Sequence, residues 1–173
     1  MHVLDVGCGK RKTPGAIGID SNPRTDADII HDLNTFPYPF SNNEFDKVIC
    51  NHILEHLDDI VKTINELYRI IKPGGILCIK VPYFAHPDAF RDPTHRRFFT
   101  LRSFDYFTEE DKEYSFYTEK KFNLLRRRLT FGSLKKVIPF IELFANQFPR
   151  VYETFFSRLF PAQTIEFELI KFS

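Results

Sequence analysis

The chain has 173 residues, 43% hydrophobic and 27% charged, with a formal net charge of +1. That length suits one domain with a substantial buried core, and the composition excludes disorder. The near-neutral charge gives no overall pull toward nucleic acid or an anionic membrane, and no apolar run approaches the roughly 18 residues that cross a bilayer.

The chain opens on a strand-like run, residues 3–6, that ends in Gly7-Cys8-Gly9. This start fits a minimal domain or a chain preceded by further residues. A second strand is predicted over 16–20. The link between the two is too short for a crossover helix of ordinary length, so a loop is expected there. A third strand is predicted over 27–31. The Pro-rich stretch 36–40 then punctuates the chain, and a fourth strand follows over 45–50. The clearest helix is 58–71: Ile60, Val61, Ile64, Leu67, Tyr68 and Ile71 form one apolar stripe, and Asp58 or Asp59 can cap its start. Lys72-Pro73-Gly74-Gly75 should stop it, with a fifth strand over 76–81. Strand, helix, strand with short links is a βαβ unit of a parallel sheet. Residues 83–117 read as loop, 122–131 as a strand and 133–160 as helical with a break near Pro149. Residues 164–172 alternate apolar and polar, which suits an antiparallel edge strand with one wet face.

The expected fold is therefore α/β: a Rossmann-like, mostly parallel sheet with an antiparallel late strand and pared-down helical layers. One domain over 1–173 is expected, with 1–82 as its cofactor-binding half and 83–173 as its acceptor-side half. Cys8, Cys50 and Cys78 are odd in number and form no CxxC, which points to free thiols and a cytoplasmic setting.

A strand ending in glycines leaves its carboxyl edge bare, so a ligand can approach the backbone. In open α/β sheets nucleotide-like ligands bind at that edge. An acid at the tip of the neighbouring strand, here Asp20, can accept hydrogen bonds from ribose hydroxyls. The same logic serves NAD, but this segment has no third glycine and no evident helix to cradle a pyrophosphate. S-adenosylmethionine needs no phosphate site.

Six pieces carry a family resemblance: LDVGCG at 4–9, GID at 18–20, HDLNTFPYPF at 31–40, FDKVIC at 45–50, HILEHL at 52–57 and ELYRIIKPGGIL at 66–77. In that order they resemble the class I S-adenosylmethionine-dependent methyltransferases, of the small type 11-like kind. The resemblance covers residues 3–81. It implies that Gly7, Cys8 and Gly9 make the turn beneath the methionine part of the cofactor. It implies that Asp5 orders that turn and that Asp20 takes the ribose hydroxyls. Asp32, with the backbone of Leu33, would recognise the adenine edge, and Asn51 would contact the methionine portion. The family places a helix between Gly9 and Asp20 where this chain has a loop. Lys10, Arg11 or Lys12 could then supply the positive charge that a helix N-terminus would give. The shortened links also leave one sheet face thinly covered.

The acceptor side is less defined. A run similar to DPTHRRFFT recurs in such enzymes, and His95 with Asp92 could form a base and its orienting acid. A turn capped by Asp92 and a His95 that satisfies a backbone group is the competing structural reading. Two metal groupings, His86-Asp88-Asp92-His95 and His52 with His56, are weaker than packing, so no metal is expected. Tyr83, Phe84, Phe90, Phe98, Phe99, Phe104, Tyr106 and Phe107 could line a pocket or fill a core. Arg126-Arg127-Arg128 reads as a solvated face, and nucleic acid is not the expected partner. The expected activity is methyl transfer to a small-molecule or glycan-type acceptor. The rivals are a cofactor-binding module within a larger assembly and an NAD-dependent oxidoreductase. A homo-oligomer is compatible with all of these.

Overall fold

The computed structural model describes residues 1–109, 118, 121–132, 136 and 138–172. Its centre is a seven-stranded sheet of β1 (Val3–Val6), β2 (Ile17–Asp20), β3 (Ile29–Ile30), β4 (Phe45–Asn51), β5 (Ile71–Pro82), β6 (Phe122–Thr130) and β7 (Thr164–Lys171). The spatial order is β3-β2-β1-β4-β5-β7-β6. The first five strands are mutually parallel, and β7 runs antiparallel to both β5 and β6. Apolar residues from β1, β4, β5 and β7 fill one core, with Leu4, Val48, Leu77 and Leu169 fully buried.

Helix α1 (Ile60–Ile70) makes the crossover from β4 to β5. The Asp59 side chain accepts a hydrogen bond from the Lys62 amide and caps it, and its inner face buries Ile64, Leu67 and Ile70. No linker separates the helix from β5, because Ile71 is already extended. Lys72-Pro73-Gly74-Gly75 therefore lies within the strand, as a bulge. Phe45 pairs with Ile71 and Lys47 with Ile76, so these four residues oppose Asp46 alone. The predicted start of this strand at residue 76 is corrected accordingly.

The Glu66-Leu67-Tyr68-Arg69 stretch has a specific structural task. The Glu66 carboxylate accepts the Tyr38 amide at 2.7 Å and Arg69 Nη2 at 2.6 Å. Arg69 also donates to the carbonyls of Phe40 and Tyr38. Helix α1 thus clamps the Pro-rich loop onto the core, where Tyr38 is buried.

The link from β1 to β2 is a loop, as its length requires. Carboxylates hold it in place: Asp5 Oδ2 accepts the Thr13 amide at 2.7 Å, and Asp28 accepts both Lys12 Nζ and the Gly18 amide. One expectation changes in the second half: β7 is internal, and β6 is the edge strand on that side. Among the described residues, Ile30 on β3 and Leu125 on β6 are exposed large apolar side chains of the edge strands. Phe140, Leu143, Val151, Phe155 and Leu159 gather on the helical stretch that begins with α3 (Ile141–Gln147); α2 (Asp88–Arg91) is a single turn. Among the described residues no helix is long and apolar enough to cross a membrane.

Candidate functional site

Parallel strands β1 to β5 all end on one edge. The chain moves outward from β1 to β3 and then returns to β4 on the other side of β1, so the order reverses between β1 and β4. Such a reversal opens a crevice at the carboxyl ends. A cleft of about 350 Å³ lies there, lined by Asp5, Gly7, Cys8, Arg11, Asn51, His52 and Lys80.

Gly7 has φ +66°, and a Cβ on it would lie 2.4 Å from Ile53 Cγ1. Only glycine lets β1 turn this close to the segment after β4. Gly9 has φ +55°, and a Cβ there would meet nothing within 4 Å. Its backbone therefore faces open space that a ligand can fill. The Gly9 amide donates to Asp20 Oδ2 at 3.0 Å, and the Asn22 amide donates to Asp20 Oδ1. Asp5 is buried, and its Oδ2 accepts the Thr13 amide of the β1–β2 loop. Cys8 is buried beside the cleft; burial first, then the Asp20 and Asp5 carboxylates, push its thiol up to about 11.

Asn51 pairs in register with Lys80, so both reach the cleft from adjacent strand ends. Of the three basic loop residues, Arg11 lines the cleft, whereas Lys12 is committed to Asp28 at 2.7 Å. Asp20, Asp32 and Leu33 follow along the same edge beyond the cleft wall. Asp32 accepts from the Asn34 amide and the Thr35 hydroxyl, and the Leu33 carbonyl accepts from Tyr38.

A second cavity, of about 720 Å³, opens at the ends of β5 and β7. His52 and Lys80 belong to both walls. Its lining is strongly polar and includes Glu55, His56, Asp88, Asp92, His95 and Arg128. His52 has φ +53° and donates its amide to the Lys80 carbonyl. A non-glycine residue held in that region is strained, and strain of this kind concentrates at functional sites. Lys80 also pairs with Glu166 at 3.0 Å.

His95 and Asp92 both line this cavity, but their side chains are not paired. Asp92 Oδ1 accepts from the Thr94 amide and hydroxyl, and His95 Nδ1 lies 2.9 Å from the Ala89 carbonyl. Thr94 holds the Asp92 carboxyl below its ordinary range. Of the two readings of the aromatic series, core packing is the one the side chains follow, and none of them lines this cavity. Tyr83, Phe99, Phe104 and Phe107 are core, Phe84 and Tyr106 pack against it, and Phe90 stacks on Phe98 at the surface. The three arginines of β6 are engaged too, Arg126 with Glu168, Arg127 with Asp105 and Arg128 with Glu142.

Sequence reasoning missed His52, Glu55 and Lys80 as wall residues. Their placement at strand ends was the available signal.

The family model for a methyltransferase domain matches residues 4–79. The demethylmenaquinone methyltransferase of Symbiobacterium thermophilum is 28% identical over 105 residues, which is 46% of this chain and 42% of that protein. The chain spans less than half the length of the curated relatives it matches. A S-adenosylmethionine-dependent methyltransferase from Archaeoglobus fulgidus superposes with a TM-score of 0.67 at 17% identity, covering 98% of this chain and 86% of that one. Phosphoethanolamine N-methyltransferase 2 of Haemonchus contortus, solved with S-adenosyl-L-methionine, gives a TM-score of 0.62 at 17% identity, over 100% of this chain and 49% of that one. At those identities the structures speak to fold alone. Sequence motif, strand order and family match agree over the same segment: residues 4–79 match a methyltransferase domain and resemble the type 11-like S-adenosylmethionine-dependent methyltransferases.

Proposed function

We propose that the chain binds S-adenosylmethionine along the β1–β4 edge and transfers its methyl group to a small polar acceptor in the adjoining cavity. The observation that carries this reading is the shared wall of His52 and Lys80, which joins a glycine-floored cleft to a second, larger cavity. Gly7, Cys8 and Gly9 lie beneath the methionine portion. Asp5 keeps their turn in place, Arg11 meets the cofactor's carboxylate, and Asn51 contacts the methionine portion. Asp20 takes the ribose hydroxyls in exchange for its backbone donors. Asp32 and the Leu33 backbone read the adenine edge.

Methyl transfer from a sulfonium is an in-line displacement. The acceptor's lone pair forms the new bond to carbon while the carbon–sulfur bond breaks and leaves a neutral thioether. The cofactor supplies the reactive group, and the protein supplies alignment and exclusion of water. Where the acceptor must lose a proton, His95 is the candidate base. Its Nδ1 hydrogen goes to Ala89, so its Nε2 carries the lone pair. The relative from Symbiobacterium is named for a quinone-type acceptor. The charged lining here favours a polar small molecule or a glycan-type group over an apolar ring.

Calorimetry with S-adenosylmethionine, S-adenosylhomocysteine and NAD tests the cofactor. Binding of neither sulfur compound overturns the proposal. A methyl-transfer assay over polar metabolites, glycans and quinones tests the second half. Cofactor binding without transfer to any of them would make the chain a binding module.

A further inference from the structure

The larger cavity contains a feature that methyl transfer does not require. Glu55 is 1% exposed, yet neither of its carboxylate oxygens has a hydrogen-bond partner among the described residues. The nearest cationic candidate is His52 Nδ1, at 3.3 Å. A buried carboxylate that has no hydrogen-bond donor, and faces an imidazole that is a cation only when protonated, is costly, so such a group signals a missing partner.

Two imidazoles stand beside it. One ligand atom from each of Glu55, His56 and His95 lies within 4.8 Å of the others. Tetrahedral bonds of about 2.1 Å to a zinc-like ion put ligand atoms about 3.4 Å apart, so binding requires these side chains to draw together. The rings of His56 and His95 meet at 4.7 Å between centroids. The backbone sets this proximity: the amides of Arg96 and Arg97 both donate to the Glu55 carbonyl, which straps the segment carrying His95 to the turn Leu54–His56.

The hydrogen bonds also fix the tautomers. His95 Nδ1 faces the Ala89 carbonyl, which can only accept, so Nδ1 holds the proton and Nε2 the lone pair. The Thr94 hydroxyl donates to Asp92 Oδ1 at 2.7 Å, so its oxygen accepts from His56 Nδ1 at 2.9 Å. His56 Nε2 is left with its lone pair as well. Outer partners of this kind orient metal-binding histidines.

We propose that Glu55, His56 and His95 bind one first-row divalent transition metal ion in the wall of the cavity, with Asp92 and Thr94 as positioning residues for His56. Two imidazoles and one carboxylate suit zinc, manganese or iron(II) better than magnesium, and the cavity side stays open for water or an oxygen ligand. With the ion bound, the His95 lone pair belongs to the metal and His95 is no longer the base. The inference does not rest on the methyltransferase reading, because it can be tested without cofactor or acceptor. The looser set of His86, Asp88, Asp92 and His95 does not converge in this way.

The test is titration of chelator-treated full chain with zinc chloride by calorimetry, with magnesium chloride as control. The proposal expects one zinc per chain and no comparable magnesium binding. Glu55→Gln keeps the side chain's shape and removes its negative charge. It and His95→Ala should each weaken zinc binding by at least about tenfold, and Thr94→Val should weaken it by a similar factor. His86→Ala should leave affinity unchanged. Should Glu55→Gln fail to fold, the cobalt(II) absorption bands of parent and His95→Ala protein carry the test, with a changed spectrum expected. No zinc binding, or equal binding by parent and His95→Ala, overturns the proposal.

Discussion

The Gly9 amide donates to Asp20 Oδ2 at 3.0 Å, so the glycine turn of β1 closes onto the acid at the tip of β2. The same carboxylate is proposed to receive the ribose hydroxyls. Asp20→Ala therefore removes a ligand contact and loosens the turn. Affinity for S-adenosylhomocysteine should fall by more than about 1 kcal/mol, the scale of one lost hydrogen bond. Calorimetry checks this, and unchanged affinity would sink the assignment of Asp20.

Gly7 and Gly9 should fail differently. Gly7→Ala forces a Cβ to 2.4 Å from Ile53 Cγ1 at φ +66°. The fold should lose about 2–3 kcal/mol, read as a drop in denaturation midpoint, and Ile53→Ala in the same chain should recover part of it. Gly9→Ala meets no atom and bears only the backbone strain, about 1 kcal/mol. It should fold and lose cofactor affinity, because the added methyl occupies space left for the ligand.

Arg11, on an exposed loop, is proposed to meet the cofactor's carboxylate with a full charge where a helix N-terminus would give a partial one. Full charges in solvent are screened by salt. Cofactor affinity should fall as ionic strength rises, and Arg11→Gln should weaken binding and flatten that dependence. A salt response that is equally steep in the variant would exclude this role.

The Cys8 thiol, raised to about 11, is neutral at ordinary pH. Burial also raises Cys50 and Cys78. At pH 8 a group titrating at 11 has about a hundredfold less thiolate than one titrating at 9.0. Labelling of the native chain by a thiol reagent should be slow at pH 8 and accelerate only as pH approaches 11. Rapid labelling of Cys8 at pH 8 contradicts this.

Arg69 links Glu66 to the Pro-rich loop. Arg69→Met leaves a nearly buried Glu66 carboxylate with one donor from Tyr38. A loss of about 2–3 kcal/mol in denaturant unfolding is expected. The double variant Arg69→Met with Glu66→Gln should lose less than Arg69→Met alone.

The first half of this fold was legible because its signals are local. Strand ends, the α1 stripe and the glycine turn each sit within a few residues. β3 is only two residues long, and just before it the Asp28 carboxylate turns back to Gly18 and Lys12. β7 was misread for a physical reason. Its polar residues Glu166 and Glu168 face Lys80 and Arg126 on neighbouring strands, and such a ladder of ion pairs imitates the wet face of an edge. Glu55 was hidden because its neighbour His95 arrives from a segment that only backbone hydrogen bonds bring near.

The wall common to both openings has a thermodynamic meaning. His52 and Lys80 cannot shift to suit an occupant on one side without altering the other. Whatever factor one ligand imposes on the second, the second imposes on the first, since linkage between binding sites is reciprocal. Discrimination among acceptors would then be visible in the tightness of the nucleoside, even for a compound that never receives a methyl group.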